Sequence, residues 1–241
     1  MTANKAKAVA KTLLEIGAVS LSPDQPFTWS SGLKTPIYCD NRLIMSQPQA
    51  RDLIEDSLVD LIQSHHPDVE VIAGTATAGI PHAAFIADRL NLPMIYVRSS
   101  KKGHGKQNAI EGSFHKGQKV VMVEDLISTG GSVIQAAHKV SQAGGQILGV
   151  VAIFTYGLAS GQEAFNQVDY PLHTLTDYPS LVDYAVQNHN FKSQERTLKA
   201  WYQDPEAWSD RASRPINKRR SRPRWKVMIE KPLYSPWSGQ D

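Results

Sequence analysis

Short apolar runs alternate along the chain with longer segments whose apolar residues recur at helical spacing. The runs predict five strands, at residues 69–73, 93–97, 120–123, 147–154 and 172–175. Helical spacing at residues 80–90 and 132–143 predicts helices that connect successive strands. This alternation is typical of an α/β fold with a central, mostly parallel five-stranded sheet flanked by helices.

The segments on either side of the predicted sheet have a different character. Helical patterns are predicted near residues 5–16, 47–65, 178–186 and 193–201. Residues 22–41 are rich in aromatic, Ser, Gly and Pro residues, which predicts an irregular connection. From about Asp204 the apolar period disappears and arginines stand around prolines, so we expect residues 205–241 to be disordered.

The net charge of +3 is distributed unevenly along the chain. Residues 206–241 hold nine basic and four acidic side chains, so the basic character belongs to this C-terminal segment. Three interpretations of it stay open: an arm for nucleic acid or an acidic partner, a docking segment, or an extension without a selected function. We favour the third because the composition changes abruptly, and we expect no nucleic-acid partner.

Composition also narrows the class of protein and its compartment. No apolar stretch reaches about 18 residues, so we expect no membrane span. The start of the chain lacks the pattern of an export signal. The single cysteine, Cys39, cannot form an internal disulfide and fits a reducing cytoplasm, and no Cys/His cluster has zinc-ligand spacing. We therefore expect a cytoplasmic protein without a structural metal.

The most informative stretch is V-V-M-V-E-D-L-I-S-T-G-G-S at residues 120–132. Ligands in parallel sheets bind beyond the carboxyl ends of the strands, so Glu124 and Asp125 are expected at that edge, after a strand ending at Val123. The glycines and hydroxyl groups of residues 128–132 lead into a helix, whose first backbone N–H groups can bind phosphate. Carboxylates would repel a polyphosphate but accept hydrogen bonds from vicinal hydroxyl groups. The combination predicts a site for ribose 5-phosphate.

For T-G-G-S alone, an ordinary turn with a helix cap is the alternative interpretation. The thirteen residues together resemble the phosphoribosyl-pyrophosphate (PRPP) signature of the type I phosphoribosyltransferases. The resemblance implies the fold of that family. It also implies PRPP contacts for Glu124, Asp125, Leu126, Ile127, Ser128, Thr129, Gly130, Gly131 and Ser132.

Three further stretches resemble the orotate phosphoribosyltransferases within that family, which implies the acceptor base. Residues 27–42, F-T-W-S-S-G-L-K-T-P-I-Y-C-D-N-R, are similar to the hood segment that holds orotate. Residues 73–81, A-G-T-A-T-A-G-I-P, are similar to the pyrophosphate loop, and residues 96–106, Y-V-R-S-S-K-K-G-H-G-K, to the mobile catalytic loop. The implied orotate contacts are Lys34, Tyr38, Cys39 and Ser128. The further implied PRPP contacts are Thr75, Arg98, Lys102 and His104, and the implied catalytic residues are Lys102, His104 and Asp125.

These stretches also have physical interpretations of their own. A cationic, glycine-hinged loop at residues 98–106 could close over a polyanion and exclude water, although the stretch alone is more typical of a solvated basic loop. Residues 74–79 are not a Walker A loop, because Ile80-Pro81 stands where Lys-Ser/Thr is required. No arginine follows the predicted fourth sheet strand, in contrast to one branch of the family. We therefore expect backbone amides, Lys34 or Ser128 to hold the orotate carboxylate.

The resemblance implies transfer of the 5-phosphoribosyl group from PRPP to orotate, giving orotidine 5′-phosphate and diphosphate in pyrimidine (UMP) biosynthesis. It further implies Mg²⁺ carried by PRPP rather than by side chains, and a homodimer with shared active sites. The expected parts are an N-terminal helix and hood at residues 1–45, a PRPP-binding α/β core at 46–204 and a basic tail at 205–241. Two alternatives stay open: a phosphoribosyltransferase for a purine or another base, and a PRPP-sensing regulator without catalysis.

Overall fold

The computed structural model describes residues 3–99 and 109–213. Its N-terminal elements are α1 (Ala3–Glu15), β1 (Val19–Leu21), β2 (Phe27–Thr28), β3 (Lys34–Thr35), β4 (Ile37–Cys39), a 3₁₀ helix (Asn41–Ser46) and α2 (Pro48–His65). β1 pairs antiparallel with β4, and β2 pairs antiparallel with β3. The prediction of an irregular connection at residues 22–41 is therefore wrong in part, because β-branched and aromatic residues such as Phe27, Thr35 and Ile37 pair across short ladders.

The α/β core follows directly after α2. Its elements are β5 (Val71–Thr75), α3 (Gly79–Leu90), β6 (Met94–Val97), β7 (Ile110–Glu111), β8 (Lys119–Ile127), α4 (Gly131–Gln142), β9 (Gln146–Thr155), α5 (Ala159–Asn166) and β10 (Leu172–Asp177). Within the described residues the strands form one six-stranded sheet in the order β10-β9-β8-β5-β6-β7. All neighbours are parallel except β6 and β7. The predicted fold class, a mostly parallel sheet flanked by helices, is confirmed.

The sheet differs from the prediction in strand number and in one strand end. The sixth strand, β7, is a two-residue edge strand, which is too short for hydrophobic periodicity to reveal. β8 continues past Val123 to Ile127 and so includes the acid pair. The extension pairs with β9, where Glu124 is opposite Ala152. Backbone pairing with β9 therefore extends β8 through two acidic residues, although the apolar pattern stops before them.

Two apolar clusters lie on opposite faces of the sheet. Val121 and Val123 of β8 belong to the larger cluster, which includes residues of α1, α2, α3, α6 (Tyr178–Asn188) and α7 (Glu195–Gln203). Val120 and Met122 belong to the other cluster, which α4 covers. The alternation follows from the two-residue period of a strand. β8 is thus buried on both faces and forms a rigid base for the residues at its carboxyl end.

The last described helix was not predicted. A short 3₁₀ helix (Lys192–Gln194) precedes α7, and α8 (Pro205–Ser213) follows it, where disordered chain was expected. Proline occupies the first position of α8, and the Asp204 carboxylate accepts the backbone N–H of Ala207 at 2.9 Å. Trp208 is only 6% exposed, so α8 packs against the folded body. The rest of the predicted tail, residues 214–241, lies outside the described residues.

Candidate active site at the carboxyl edge of the sheet

A cleft of about 900 Å³ opens beside the carboxyl ends of β8 and β9. This edge is where open parallel sheets bind ligands. Its walls come from the hood segment, the turn after β8, the residues after β9 and the junction between α7 and α8. They include Tyr38, Cys39, Ser128, Thr129, Tyr156 and Glu206. The cleft therefore joins segments that are far apart in the sequence.

The two acids lie inside β8, which corrects their expected position just beyond the strand. Because they are consecutive in a strand, their side chains leave opposite faces of the sheet. Glu124 lies toward α4, where its Oε2 accepts the Ser132 hydroxyl at 3.5 Å and its Oε1 accepts the backbone N–H of Asp125 at 3.1 Å. Asp125 lies near the hood segment, and its backbone oxygen accepts the Asn41 side-chain amide at 2.8 Å. The pair therefore faces both the phosphate turn and the hood segment.

The two carboxyl groups differ in burial and charge. Glu124 is 6% exposed, whereas Asp125 is half-buried. Burial, followed by the negative charge of Asp125, raises the pKa of Glu124 to about 9. Burial therefore favours the neutral form of Glu124, and Asp125 is the more accessible of the two acidic side chains at the end of β8.

The turn between β8 and α4 has the geometry of an anion site. Gly130 has a φ of 75°, which favours glycine, and a Cβ at this position would lie 2.6 Å from the ring of Phe165. Gly131 begins α4, and the first N–H groups of a helix have no partner within it and carry partial positive charge. Three hydroxyl groups belong to the same turn, those of Ser128, Thr129 and Ser132. The predicted phosphate-binding turn therefore has donors from both backbone and side chains.

β4 places Tyr38 and Cys39 in the wall of the cleft. Tyr38 is 46% exposed, and its ring lies 5.7 Å from that of Phe27. Burial, followed by the charge of Asp125, raises the pKa of the Cys39 thiol. The Cys39 Sγ donates to Asn41 Oδ1 at 3.4 Å. Cys39 is therefore a neutral, packed thiol rather than a nucleophile.

Lys34 lies beside the cleft rather than in its wall. Its Nζ donates to Thr28 Oγ1 at 2.7 Å, and Thr28 itself lines the cleft. Its backbone N–H donates to Ser209 Oγ of α8 at 2.9 Å. Both ends of the residue are thus held by other segments, which places the ammonium group next to the hood wall.

The predicted pyrophosphate loop joins β5 to α3 at the same edge of the sheet. A Cβ at Gly79 would collide with the carbonyl oxygen of Val123, so the start of α3 packs directly on β8. Thr75 is buried, and its hydroxyl has no hydrogen-bond partner among the described residues. Thr75 borders a second cavity of about 70 Å³, which Arg98 and Ser132 also line. A buried unpaired hydroxyl is costly, and an anionic ligand in this cavity would offset the cost.

Arg98 follows β6 and marks the start of the predicted catalytic loop. Its guanidinium lies 3.3 Å from the Glu111 carboxylate of β7. Lys139 of α4 donates to the backbone oxygens of Arg98 and Ser99, at 2.9 and 3.2 Å. The start of the loop is therefore attached to the helix that forms the phosphate turn. Two predicted loop residues, Lys102 and His104, lie outside the described residues.

Sequence reasoning missed two buried residues of the site. Asn41 is 1% exposed and links the hood segment to β8; its position two residues after Cys39 was the available signal. Tyr156 is 3% exposed and lines the cleft, with its ring centroid 5.0 Å from that of Trp29 in a tilted arrangement; its position directly after β9 was the signal. Burial raises the pKa of its phenol, so the hydroxyl is a neutral donor. Ile127, by contrast, is 2% exposed and packed in the core, so only its backbone could contact PRPP.

Comparisons with a family model and with curated proteins identify the same family. The phosphoribosyl transferase domain family matches residues 44–187. The chain is 57% identical to orotate phosphoribosyltransferase of Staphylococcus saprophyticus over 197 residues, which cover 81% of this chain and 97% of that protein. It is 55% identical to orotate phosphoribosyltransferase of Halalkalibacterium halodurans over 202 residues, which cover 83% and 96%.

Solved structures agree with these relatives. Orotate phosphoribosyltransferase from Aeropyrum pernix aligns with a TM-score of 0.67 at 27% identity, covering 75% of this chain and 99% of that one. UMP synthase from Leishmania donovani aligns with a TM-score of 0.69 at 28% identity, covering 82% of this chain and 42% of that one. The fold, the cleft and the relatives point to one conclusion. The chain belongs to the phosphoribosyltransferase family and, within it, to the orotate phosphoribosyltransferases.

Proposed function

We propose that this chain uses the cleft beside β8 to transfer the 5-phosphoribosyl group of PRPP to N1 of orotate. The observation that carries the proposal is that Ser128 and Thr129 of the phosphate turn border one cleft with the hood segment, while the backbone of Asp125 is hydrogen-bonded to Asn41 of that segment. The transfer needs three adjacent surfaces, for a 5-phosphate, for a ribose diol and for a planar base. The cleft offers these surfaces side by side.

In this proposal, the ribose of PRPP binds at the two acidic residues of β8. The diol donates hydrogen bonds to Asp125, the more accessible carboxylate, and to Glu124, which faces the phosphate turn. The 5-phosphate accepts hydrogen bonds from the backbone N–H groups at the start of α4. Asp125 also lies where positive charge develops on the ribose as the bond to diphosphate breaks, and a nearby carboxylate stabilises that charge.

The leaving diphosphate is assigned to the edge formed by β5 and β6. Thr75 supplies an unpaired hydroxyl, and Arg98 supplies positive charge beside the small cavity. Lys102 and His104 join them on the strength of the family resemblance, as the cations that meet the charge of the departing group. Catalysis is then positioning and charge stabilisation, with no covalent bond to a side chain.

The base end is assigned to the wall formed by Tyr38, Cys39 and Ser128. Tyr38 and Cys39 offer backbone groups to the pyrimidine, and Ser128 offers a hydroxyl. Lys34 provides positive charge beside this wall, through its bond to Thr28. We assign the orotate carboxylate to this polar side of the cleft.

The family implies Mg²⁺, and the described residues fit an ion that arrives with PRPP. Among residues 3–99 and 109–213, no group of three or more His, Cys, Asp or Glu side chains could hold a metal. Mg²⁺ commonly binds phosphate oxygens and water with only one or two carboxylates, and Asp125 is available as one of these. When bound, the ion neutralises charge on the diphosphate. Chelation should therefore abolish turnover, and added Mg²⁺ should restore it.

We also propose that the active form is a homodimer in the cytoplasm. Leu43 and Leu53, on the adjoining 3₁₀ helix and α2, are 42% and 39% exposed and give an apolar surface that a second copy would cover. In the described part of the chain, no helix is long and apolar enough to cross a membrane. The single cysteine supports a reducing compartment. Sedimentation equilibrium at micromolar concentration tests the dimer.

The deciding experiment follows the loss of orotate absorbance when the protein is mixed with PRPP and Mg²⁺. Uracil, hypoxanthine and adenine serve as parallel acceptors, with products identified by chromatography. The proposal expects turnover of orotate and of none of the other three. Turnover of another base in place of orotate would overturn the acceptor, and PRPP binding without turnover of any base would overturn catalysis.

A further inference from the structure

Helix α8 meets the hood segment at a partly buried hydrogen bond. The Ser209 hydroxyl oxygen accepts the backbone N–H of Lys34 at 2.9 Å, across 175 positions of the chain. Ser209 is 5% exposed, so its end of the bond is shielded from water. A shielded hydrogen bond between distant segments holds their relative position more firmly than a surface contact does.

The strand that receives this bond has little support of its own. β3 consists of Lys34 and Thr35, and within the described residues it pairs only with the two residues of β2. A two-stranded ladder is marginally stable in water even at greater length. The contact with α8 therefore supplies an anchor that the β2–β3 pair lacks.

The anchor itself is firmly placed. Trp208, the residue before Ser209, is buried in the larger apolar cluster. The Asp204 cap holds the first turn of α8 through the backbone N–H of Ala207. At the same junction, Pro205 and Glu206 line the cleft opposite the hood wall. α8 is thus attached to the core on one side and to the hood segment on the other.

We propose that Ser209 is a positioning residue for the base site, because it fixes the backbone of Lys34 and so the reach of its ammonium group. The proposal rests on the assignment of Lys34 to the orotate end of the cleft. Ser209 touches no substrate, and its effect passes through β3. The C-terminal helix then belongs to the orotate subsite and not to a dispensable tail.

The test compares Ser209→Ala with a matched control, Ser213→Ala, at the exposed end of the same helix. Loss of one partly buried hydrogen bond that orders the site should raise the KM for orotate by about fivefold to tenfold. The KM for PRPP and kcat should change by less than about twofold, because the phosphate turn is held by the sheet. Ser209→Thr keeps the hydroxyl and should restore most of the loss, and Ser213→Ala should match the unchanged protein.

A purely structural role for Ser209 predicts a different pattern. In that case Ser209→Ala would lower the midpoint of thermal unfolding but leave the KM for orotate unchanged in the folded fraction, which would overturn the proposal. Equal rises in both KM values would overturn it as well.

Lys34→Ala tests the premise of the inference, which is that Lys34 lies at the orotate end of the cleft. If it leaves the KM for orotate unchanged, the assignment of Lys34 fails, whereas if it raises this KM and Ser209→Ala does not, only the inference fails.

Discussion

Neutral substitutions at the two acidic residues of β8 should reduce turnover to different extents, and the burial of each side chain indicates which substitution costs more. Glu124 is buried and carries a raised pKa, so Glu124→Gln exchanges one neutral group for another of nearly the same shape. Asp125 is half-buried beside the cleft, so Asp125→Asn removes a carboxylate that can reach the ribose diol. We expect the Asp125 substitution to reduce turnover strongly and the Glu124 substitution to reduce it little.

The size of the difference follows from the strength of the hydrogen bonds involved. A hydrogen bond to a charged group contributes about 1.5–3 kcal/mol, and one between neutral groups contributes about 0.5–1.5 kcal/mol. At the midpoints of these ranges, Asp125→Asn should therefore cost about 1.3 kcal/mol in transition-state binding, which is about ninefold in kcat/KM for PRPP. Stabilisation of the developing charge on the ribose adds to this loss. Glu124→Gln keeps a neutral partner for Ser132, so a loss of no more than about threefold is expected.

The assay is the initial rate of orotate consumption at pH 7 with PRPP varied and orotate saturating. Thermal unfolding of each variant shows whether the fold is kept, and Asp169→Asn, at an exposed side chain before the start of β10, shows the effect of the same substitution away from the site. If Glu124→Gln loses as much as Asp125→Asn, Glu124 acts as an anion and the burial argument is wrong. Near-normal kcat/KM in Asp125→Asn would remove Asp125 from the proposed mechanism.

Three shorter predictions concern other parts of the structure. Gly79→Ala should abolish turnover and lower the thermal midpoint, because the added Cβ meets the Val123 carbonyl oxygen; normal unfolding and activity would refute the close packing. Tyr156→Phe should raise the KM for orotate severalfold and leave the KM for PRPP unchanged in the same assay, because the phenol borders the base side of the cleft. Burial and two neighbouring imidazoles lower the pKa of His173 to about 4. Since the unfolded chain takes up this proton near pH 6.5, stability should fall between about pH 6.5 and 4, and His173→Gln should flatten that slope in urea unfolding.

Most of the sheet could be predicted because each buried strand carries its own signal. The run V-V-M-V is apolar on both faces, as a central parallel strand must be, and the structure buries it completely. The end of β8 could not be predicted, because Glu124 and Asp125 break the apolar pattern while backbone pairing with β9 continues. β7 has only two residues and leaves no periodic signal. The hydrophobic pattern of a stretch of sequence indicates whether it is buried. The residue at which a strand ends depends instead on its pairing with the neighbouring strand.

The candidate site also combines residues that a local stretch of sequence reveals with residues that depend on contacts between distant segments. The phosphate turn is contiguous, so its glycines, hydroxyl groups and helix start could be found in one stretch of sequence. Asn41 was missed because its role arises from a contact with the backbone of Asp125, 84 positions away. α8 was missed for a related reason: Trp208 looks like an isolated aromatic in a polar segment until the fold supplies the apolar cluster that buries it. Contacts between distant segments leave no local pattern in the sequence.

The two ends of the cleft are held by different kinds of contact, and this has a consequence for substrate binding. The ribose-phosphate end lies on β8 and α4, which are embedded in the sheet and its apolar clusters. The hood segment is fastened to that body in part by single side-chain hydrogen bonds, from Asn41 to β8 and from Ser209 to β3. Each such bond contributes only about 1 kcal/mol, so the loss of one should loosen the hood segment locally while the phosphate turn keeps its place on the sheet. Substitutions that loosen it should therefore separate the two substrates, weakening orotate while PRPP still binds.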